Sequence, residues 1–210
     1  MKKSLIMLTL SMMLALTACE GKSAETTTKE SVETHTETIN ETVIETQEEE
    51  SGEIVDNSEM LKIPVYTRKE LNMTGEAGPI KYSIDGIQVS KLTFKSEDMA
   101  SLAGIDPGKE IACVALDLSG ENTSEETINF YLGQATLVSN TKEQVDPNML
   151  FSDYVSGEYL GQVIHSGTSI YLFENSNAED ITNLKLYISA PSDSSFNSLS
   201  EDIVIEINLE

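Results

Sequence analysis

All twelve aromatic side chains of this 210-residue chain, seven Tyr and five Phe, lie after position 60. A core needs large apolar groups, so only residues 61–210 can supply one. A segment of that length suits a single domain and buries about 68–70% of its unfolded surface without staples. Within it the apolar residues recur with period two. Ile203, Ile205, Ile207 and Leu209 face one way and Glu206 and Asn208 the other; Ile128, Phe130 and Leu132 repeat the pattern, as do Leu184, Leu186 and Ile188. Ile111 to Leu116 is apolar on both faces and reads as a buried central strand. Lys81–Ile84 and Ile87–Val89 flank Asp85-Gly86, which predicts a hairpin, and the shift of apolar register to Leu92 and Phe94 predicts a bulge near Ser90-Lys91. Further strands are expected at 135–139, 159–165 and 168–173, with turns at Asp106-Pro107-Gly108, Asp146-Pro147-Asn148 and Ser166-Gly167. One short helix is expected from Ser96 to Ala103, capped by Ser96. No long amphipathic helix alternates with the strands, so the expected fold is all-β, an antiparallel β-sandwich with at most one short helix.

The N-terminal region has a different character. Met1-Lys2-Lys3 precedes an apolar run from Leu5 to Leu16, the layout of a secretory signal over residues 1–18. The run is too short for a permanent span, which takes roughly 20 apolar residues. Leu16-Thr17-Ala18-Cys19 resembles a bacterial lipobox. The resemblance implies cleavage before Cys19 and a diacylglyceryl thioether on its sulfur, and two acyl chains suffice for stable anchoring. The alternative is an ordinary signal with an incidental Cys near its end. Residues 20–60 hold 13 Asp/Glu and two Lys, with many Thr. Such a segment cannot offset its ordering entropy, so 19–60 is expected to be a disordered acidic linker holding the domain away from a membrane. His35 stands alone in this linker and reads as a solvated residue.

The domain's order of features also carries a resemblance. A hairpin and a central strand lead into Leu116-Asp117-Leu118-Ser119-Gly120-Glu121-Asn122-Thr123-Ser124, then Ile128-Asn129-Phe130; later come Gly167, Ile170-Tyr171-Leu172-Phe173 and Leu184-Lys185-Leu186. Over roughly residues 79–210 this resembles the telokin-like, immunoglobulin-fold domain of unknown function found in bacterial surface lipoproteins, kin to mycobacterial secreted immunoprotective antigens. The resemblance implies an immunoglobulin-like sandwich and no catalytic residues.

Chemistry is sparse. The formal net charge of −23 argues against nucleic acid as a partner. Two Cys and two His cannot complete an ordinary Cys/His zinc site, and no phosphate loop, calcium loop or Gly-x-Ser-x-Gly elbow occurs. No cofactor is expected. Cys113 reads as buried filler rather than a reactive thiol, because its neighbours are apolar and Glu110 and Asp117 are anionic. His165 reads as a strand-end surface residue, although a cryptic hydrolase would need it as its base. Glu121, Glu125 and Glu126 are expected to share one loop, and Glu174, Glu179 and Asp180 another; these are either weak calcium candidates or a solvated acidic rim. Phe151, Tyr154 and Tyr159 are the candidates for an exposed aromatic contact, with core packing expected for at least two of them. The sequence thus points to a non-enzymatic, membrane-anchored lipoprotein of the bacterial envelope, facing outward and binding an extracellular partner. The rival reading is an inhibitor-like or solute-binding accessory of an envelope enzyme or transporter.

Overall fold

The computed structural model describes residues 52–209. The signal segment, Cys19, His35 and most of the acidic linker lie outside the described residues. In chain order the elements are β1 (Val55–Asp56), β2 (Met60–Arg68), β3 (Met73–Ala77), β4 (Ile80–Phe94), α1 (Glu97–Ala103), β5 (Glu110–Asn122), β6 (Thr127–Asn129) and β7 (Thr136–Ser139). They continue with β8 (Gln144–Val145), β9 (Glu158–Leu160), β10 (Ile164–Phe173), β11 (Asn183–Ile188), β12 (Ser192–Asp193) and β13 (Ile203–Asn208). Every described pairing is antiparallel. One sheet runs β1-β2-β4-β5-β10, with β3 also on β4; sheets β13-β11-β7-β8 and β12-β6-β9 supply the opposing layer. Ile84, Val89, Val114 and Leu116 from the first layer meet Phe130, Leu137, Tyr159, Leu184 and Leu186 from the second in one buried cluster. The chain is an antiparallel β-sandwich with one short helix, as its periodicity predicts.

Two long strands, β4 and β5, depart from the expected segmentation. Asp85-Gly86 does not turn the chain. It forms a β-bulge in the continuous strand β4, where the register on β5 steps from Ile84↔Leu118 to Gly86↔Asp117. The extra residue reverses side-chain parity, so Ile80 and Ile84 before the bulge and Ile87 and Val89 after it face the same core. A Cβ at Gly86 would lie 2.7 Å from Asp117 Oδ2, so the Asp117 carboxylate would have to shift to admit a larger residue. On its free edge β4 pairs with β3 before the bulge and with β2 after it.

The register shift at Leu92 and Phe94 has a different origin from the expected bulge at Ser90-Lys91. Strand β4 runs through that region regularly against β5, and the irregularity sits in β2 between Pro64 and Tyr66. What changes is the face that is covered. Leu92, Phe94, Ile111 and Cys113 point to the outer side of the sheet, where Ala100 and Ile105 join them in a second buried cluster. Helix α1 makes that cover. Ser96 Oγ accepts the Met99 N–H at 3.4 Å, and Gly104 closes the helix with φ 75°.

Ser166-Gly167 is likewise within a strand, not a turn, because β10 is continuous from Ile164 to Phe173. Gly167 is required by a crossing segment, since a Cβ there would meet Asp153 Cβ at 2.8 Å. Strand pairing also begins earlier than composition suggests: Val55–Asp56 pairs with Leu61–Lys62, inside the stretch assigned to the linker. A two-residue exposed edge strand adds backbone hydrogen bonds without apolar burial, so composition gives no sign of it.

Across β3, β4, β5 and β10 the residues Gly75, Tyr82, Gly120 and His165 stand side by side on the inner face. The glycines make room for rings. Tyr82 covers Gly75 and packs on Phe130 at 6.1 Å, while Tyr159 reaches across from β9 beneath Gly120 and stacks on His165 at 4.5 Å. Among the described residues the buried Tyr159 hydroxyl has no partner, and any Cβ at position 120 would overlap it. Gly120→Ala is therefore expected to lower the unfolding free energy by about 2 kcal/mol through overpacking. Tyr159→Phe removes an unsatisfied group and should be neutral or stabilising. In urea titrations the double variant should recover about half or more of the Gly120→Ala loss; strict additivity would contradict the overlap.

Candidate binding face

The outer side of the first sheet is divided in two. Helix α1 and the segment 148–153 seal one half. Phe151 packs on Phe94 at 5.5 Å, and Asn148 and Asp153 donate backbone N–H groups to the Ile170 and Thr168 carbonyls, closing the edge of β10. The Ser152 hydroxyl and Asp153 carboxylate accept the Ile170 and Thr168 N–H groups, at 2.8 and 2.9 Å. This cover accounts for Phe151, which is half-buried against the second cluster.

The other half is uncovered. Thr74, Ser83, Ser119 and Ser166 form one outward rung across β3, β4, β5 and β10, and Glu76, Lys81, Glu121 and Ile164 form the next outward rung. Neighbouring strands lie about 4.8 Å apart, so the Lys81 ammonium rises between two carboxylates. All of these residues except Ser166 line an open groove of about 360 Å³. Among the described residues, the side chains of Thr74, Glu76, Lys81, Ser83, Ser119 and Glu121 make no hydrogen bond or ion pair with one another or with the rest of the protein.

The residues singled out from sequence fall elsewhere, apart from Glu121. Glu121 stands on β5 in the open face, not in a loop with Glu125 and Glu126, which lie in the β5–β6 connection. That connection is tied internally: Asn122, fully buried, donates Nδ2 to Glu126 O at 2.7 Å and accepts from Ser124 N at 2.9 Å. In the second acidic group, Glu174 pairs with Lys109 at 3.1 Å, Glu179 pairs with Lys91, and Asp180 accepts from Asn177 Nδ2 at 2.8 Å. The Lys91 hydrogen bond holds the Glu179 carboxyl below its ordinary range. Among the described residues, no three His, Cys, Asp or Glu converge as a metal group.

Tyr159 is fully buried, whereas Tyr154 is 83% exposed. His165, the second residue of β10, stands at a strand end as expected, but it is half-buried on the inner face rather than on the surface, donating Nδ1 to Ser156 O at 2.9 Å. Its carbonyl partner and Tyr159 account for its orientation. Sequence reasoning did not single out Lys81, Ser83 or Ser119 as site residues, because their solvent-facing alternation is identical to that of any half-exposed strand. Glu143 also escaped notice. Its carboxylate accepts from Glu174 N at 2.8 Å, Asn175 N at 3.1 Å and Ser176 Oγ at 2.6 Å, fixing the turn that leaves β10.

Cys113 is buried under α1, and burial pushes its thiol up to about 11, with Lys62 offsetting part of the rise. Burial likewise pushes the Tyr159 phenol up to about 12. Both groups ionise at lower pH once unfolded, so the stability they support is complete below about pH 9 and is lost as pH rises through the folded values. Urea midpoints should hold to about pH 8.5 and fall between about pH 9 and 12, and Cys113→Ala should remove about 2 kcal/mol of that fall. An alkaline profile unchanged by the substitution would contradict the burial of this thiol.

No protein-family model matches the chain. It is similar, at 29% identity over 151 residues, to the SPbeta prophage-derived uncharacterized lipoprotein YonS of Bacillus subtilis (strain 168). The match covers 71% of this chain and 66% of that protein, so the chain spans just under two thirds of its relative's length. Among solved structures, a functionally unknown protein from Listeria monocytogenes EGD-e superposes with a TM-score of 0.53 at 13% identity, over 71% of this chain and 88% of that one. The second likeness is one of fold: this strand arrangement recurs in a sequence that shares few of its residues.

Proposed function

We propose that this protein is a lipid-anchored module of the bacterial envelope that faces outward and binds, without transforming, a neutral or cationic hydroxyl-rich ligand. The observation that carries the reading is the open half of the first sheet, where six polar side chains on two adjacent rungs have no partner among the described residues. Anionic polymers are disfavoured there, since Glu76 and Glu121 flank the single Lys81 and the whole chain carries −23. A glycan segment suits a surface that mixes hydroxyls, carboxylates and one ammonium, because each sugar hydroxyl both donates and accepts. The volume of about 360 Å³ falls within the range of small-ligand sites.

The anchor rests on Cys19 and on the similarity to a protein described as a lipoprotein. The resemblance to telokin-like domains of surface lipoproteins supports the same placement. A binding role is favoured over catalysis by the Ser/His geometry: His165, the domain's single histidine, faces inward against Tyr159 with Nδ1 engaged by a backbone carbonyl.

Two measurements test the proposal. Cys19→Ser is expected to release the protein from the membrane fraction of its host; retention would contradict the lipid anchor. A neutral chitooligosaccharide digest titrated into the isotope-labelled protein should shift amides of residues 74–76, 81–83 and 119–121, with Ser83→Ala plus Ser119→Ala weakening binding about tenfold. Mass spectrometry should find the digest unchanged afterwards. Shifts confined to other surfaces would contradict the site, and new products would contradict the non-catalytic reading.

A further inference from the structure

One aromatic residue is held in a costly backbone conformation on a hydrogen-bonded loop, with nothing covering it among the described residues. Phe196 has φ 63° and is 78% exposed. A bulky side chain rarely adopts the left-handed region, and an exposed Phe gains nothing from burial in return. The conformation is imposed by Asp193. Its Oδ1 accepts from Ser195 N at 2.8 Å and Asn197 N at 2.9 Å, and its Oδ2 accepts from Asn197 Nδ2 at 2.9 Å. Backbone bonds Phe196 N to Asp193 O and Asp193 N to Asn197 O, both 3.0 Å, close the ring. These bonds to Asn197 and Ser195 hold the Asp193 carboxyl below its usual range, so the clamp is ionised at neutral pH.

The base of the loop is fixed as well. Asn129 Nδ2 reaches Asp193 O at 3.3 Å, Ser192 bridges Ser198, and Leu199 N donates to Pro191 O at 2.8 Å. Leu199 also lies against Gly78, in the turn between β3 and β4. The result is a small preformed loop whose tip is a single apolar ring.

We propose that the 193–197 loop is a protein-docking device, in which Phe196 inserts into an apolar pocket with a basic rim on a different protein of the envelope. Preorganisation is what such an anchor needs, because an aromatic side chain already held in its bound geometry loses little entropy on docking. The nature of the rim follows from charge. After Lys185 the chain has no Lys or Arg, while Asp193, Glu201, Asp202 and Glu206 all follow it. The same acidity disfavours the other occupants. A bilayer with anionic headgroups would repel these carboxylates. A second copy would bring a matching acidic loop and another charge of −23.

The test uses the full-length protein on intact host cells, with photoreactive benzoylphenylalanine in place of Phe196 and, as a control, in place of Tyr187. Tyr187 is 44% exposed on β11, in another sheet. The expected result is a discrete heterologous protein adduct from position 196 and none from 187, with a yield that falls as salt rises from about 50 to about 500 mM. Added unmodified protein should suppress the adduct about tenfold more effectively than Phe196→Ala, whose circular dichroism should be unchanged because the side chain is exposed. Asp193→Ala, which frees the loop, should weaken competition in the same direction. Lipid adducts, adducts to a second copy, equal labelling from both positions, no adduct, or equal competition by Phe196→Ala would each overturn the proposal.

Discussion

The structure depends on the pairing of β4 with β5, and on the bulge that lets both strands run long without losing their buried face. From Ile80 to Phe94 and from Glu110 to Asn122 the two strands share one ladder, and the other members of the first sheet attach to it. A strand of this length would ordinarily carry one parity of apolar residues throughout. Here the extra residue at Asp85 restores inward parity for Ile87 and Val89, and the alternate positions beyond it are free to be apolar too. Leu92, Phe94, Ile111 and Cys113 use that freedom, which gives α1 a surface to pack on.

The functional reading follows from where this second cover ends. On the outer face of β5, Ile111 and Cys113 are apolar and sealed, while Ser119 and Glu121 are polar and open. The change of residue type coincides with the end of the cover by α1 and the 148–153 segment. A face needed only for solubility would tolerate internal ion pairs, as at Lys91–Glu179 and Lys109–Glu174 elsewhere on the surface. Lys81 instead stands between two carboxylates without engaging either one, beside the Thr74, Ser83 and Ser119 hydroxyls, which have no partner among the described residues. The Phe196 loop is a separate device, built on the opposing layer through β12 and reaching the first sheet at Gly78.

Much of the architecture was legible because it follows from periodicity and from turn chemistry acting locally. Ser96 caps its helix as its type and position predict, and Ile203–Ile207 alternates as a half-buried strand does. The failures share a cause. Asp85-Gly86 and Ser166-Gly167 have the composition of turns, but their glycines answer a long-range crowding, by Asp117 in one case and Asp153 in the other. Such proximity has no local signature. The face switch at Leu92 looked like a bulge because a sequence shows that parity has changed without showing which side is covered. Within the candidate site, Glu121 drew attention through its charge, but its true neighbours, Lys81 and Glu76, come from strands some 40 residues earlier. Phe196 did leave a trace, as the lone aromatic in the polar run Ser192–Ser200.

Two positions on one strand and one face give the most direct test of a sheet sealed at one end and open at the other. Cys113 is buried beneath α1, and Ser119 lies six residues along β5, about 20 Å away on the same outer side. In native Ser119→Cys protein carrying both thiols, a maleimide reagent should modify position 119 within minutes. Cys113 should react only as fast as the whole domain unfolds. Comparable reaction of both thiols, or protection of both, would contradict the division of this face into a covered half and an open half.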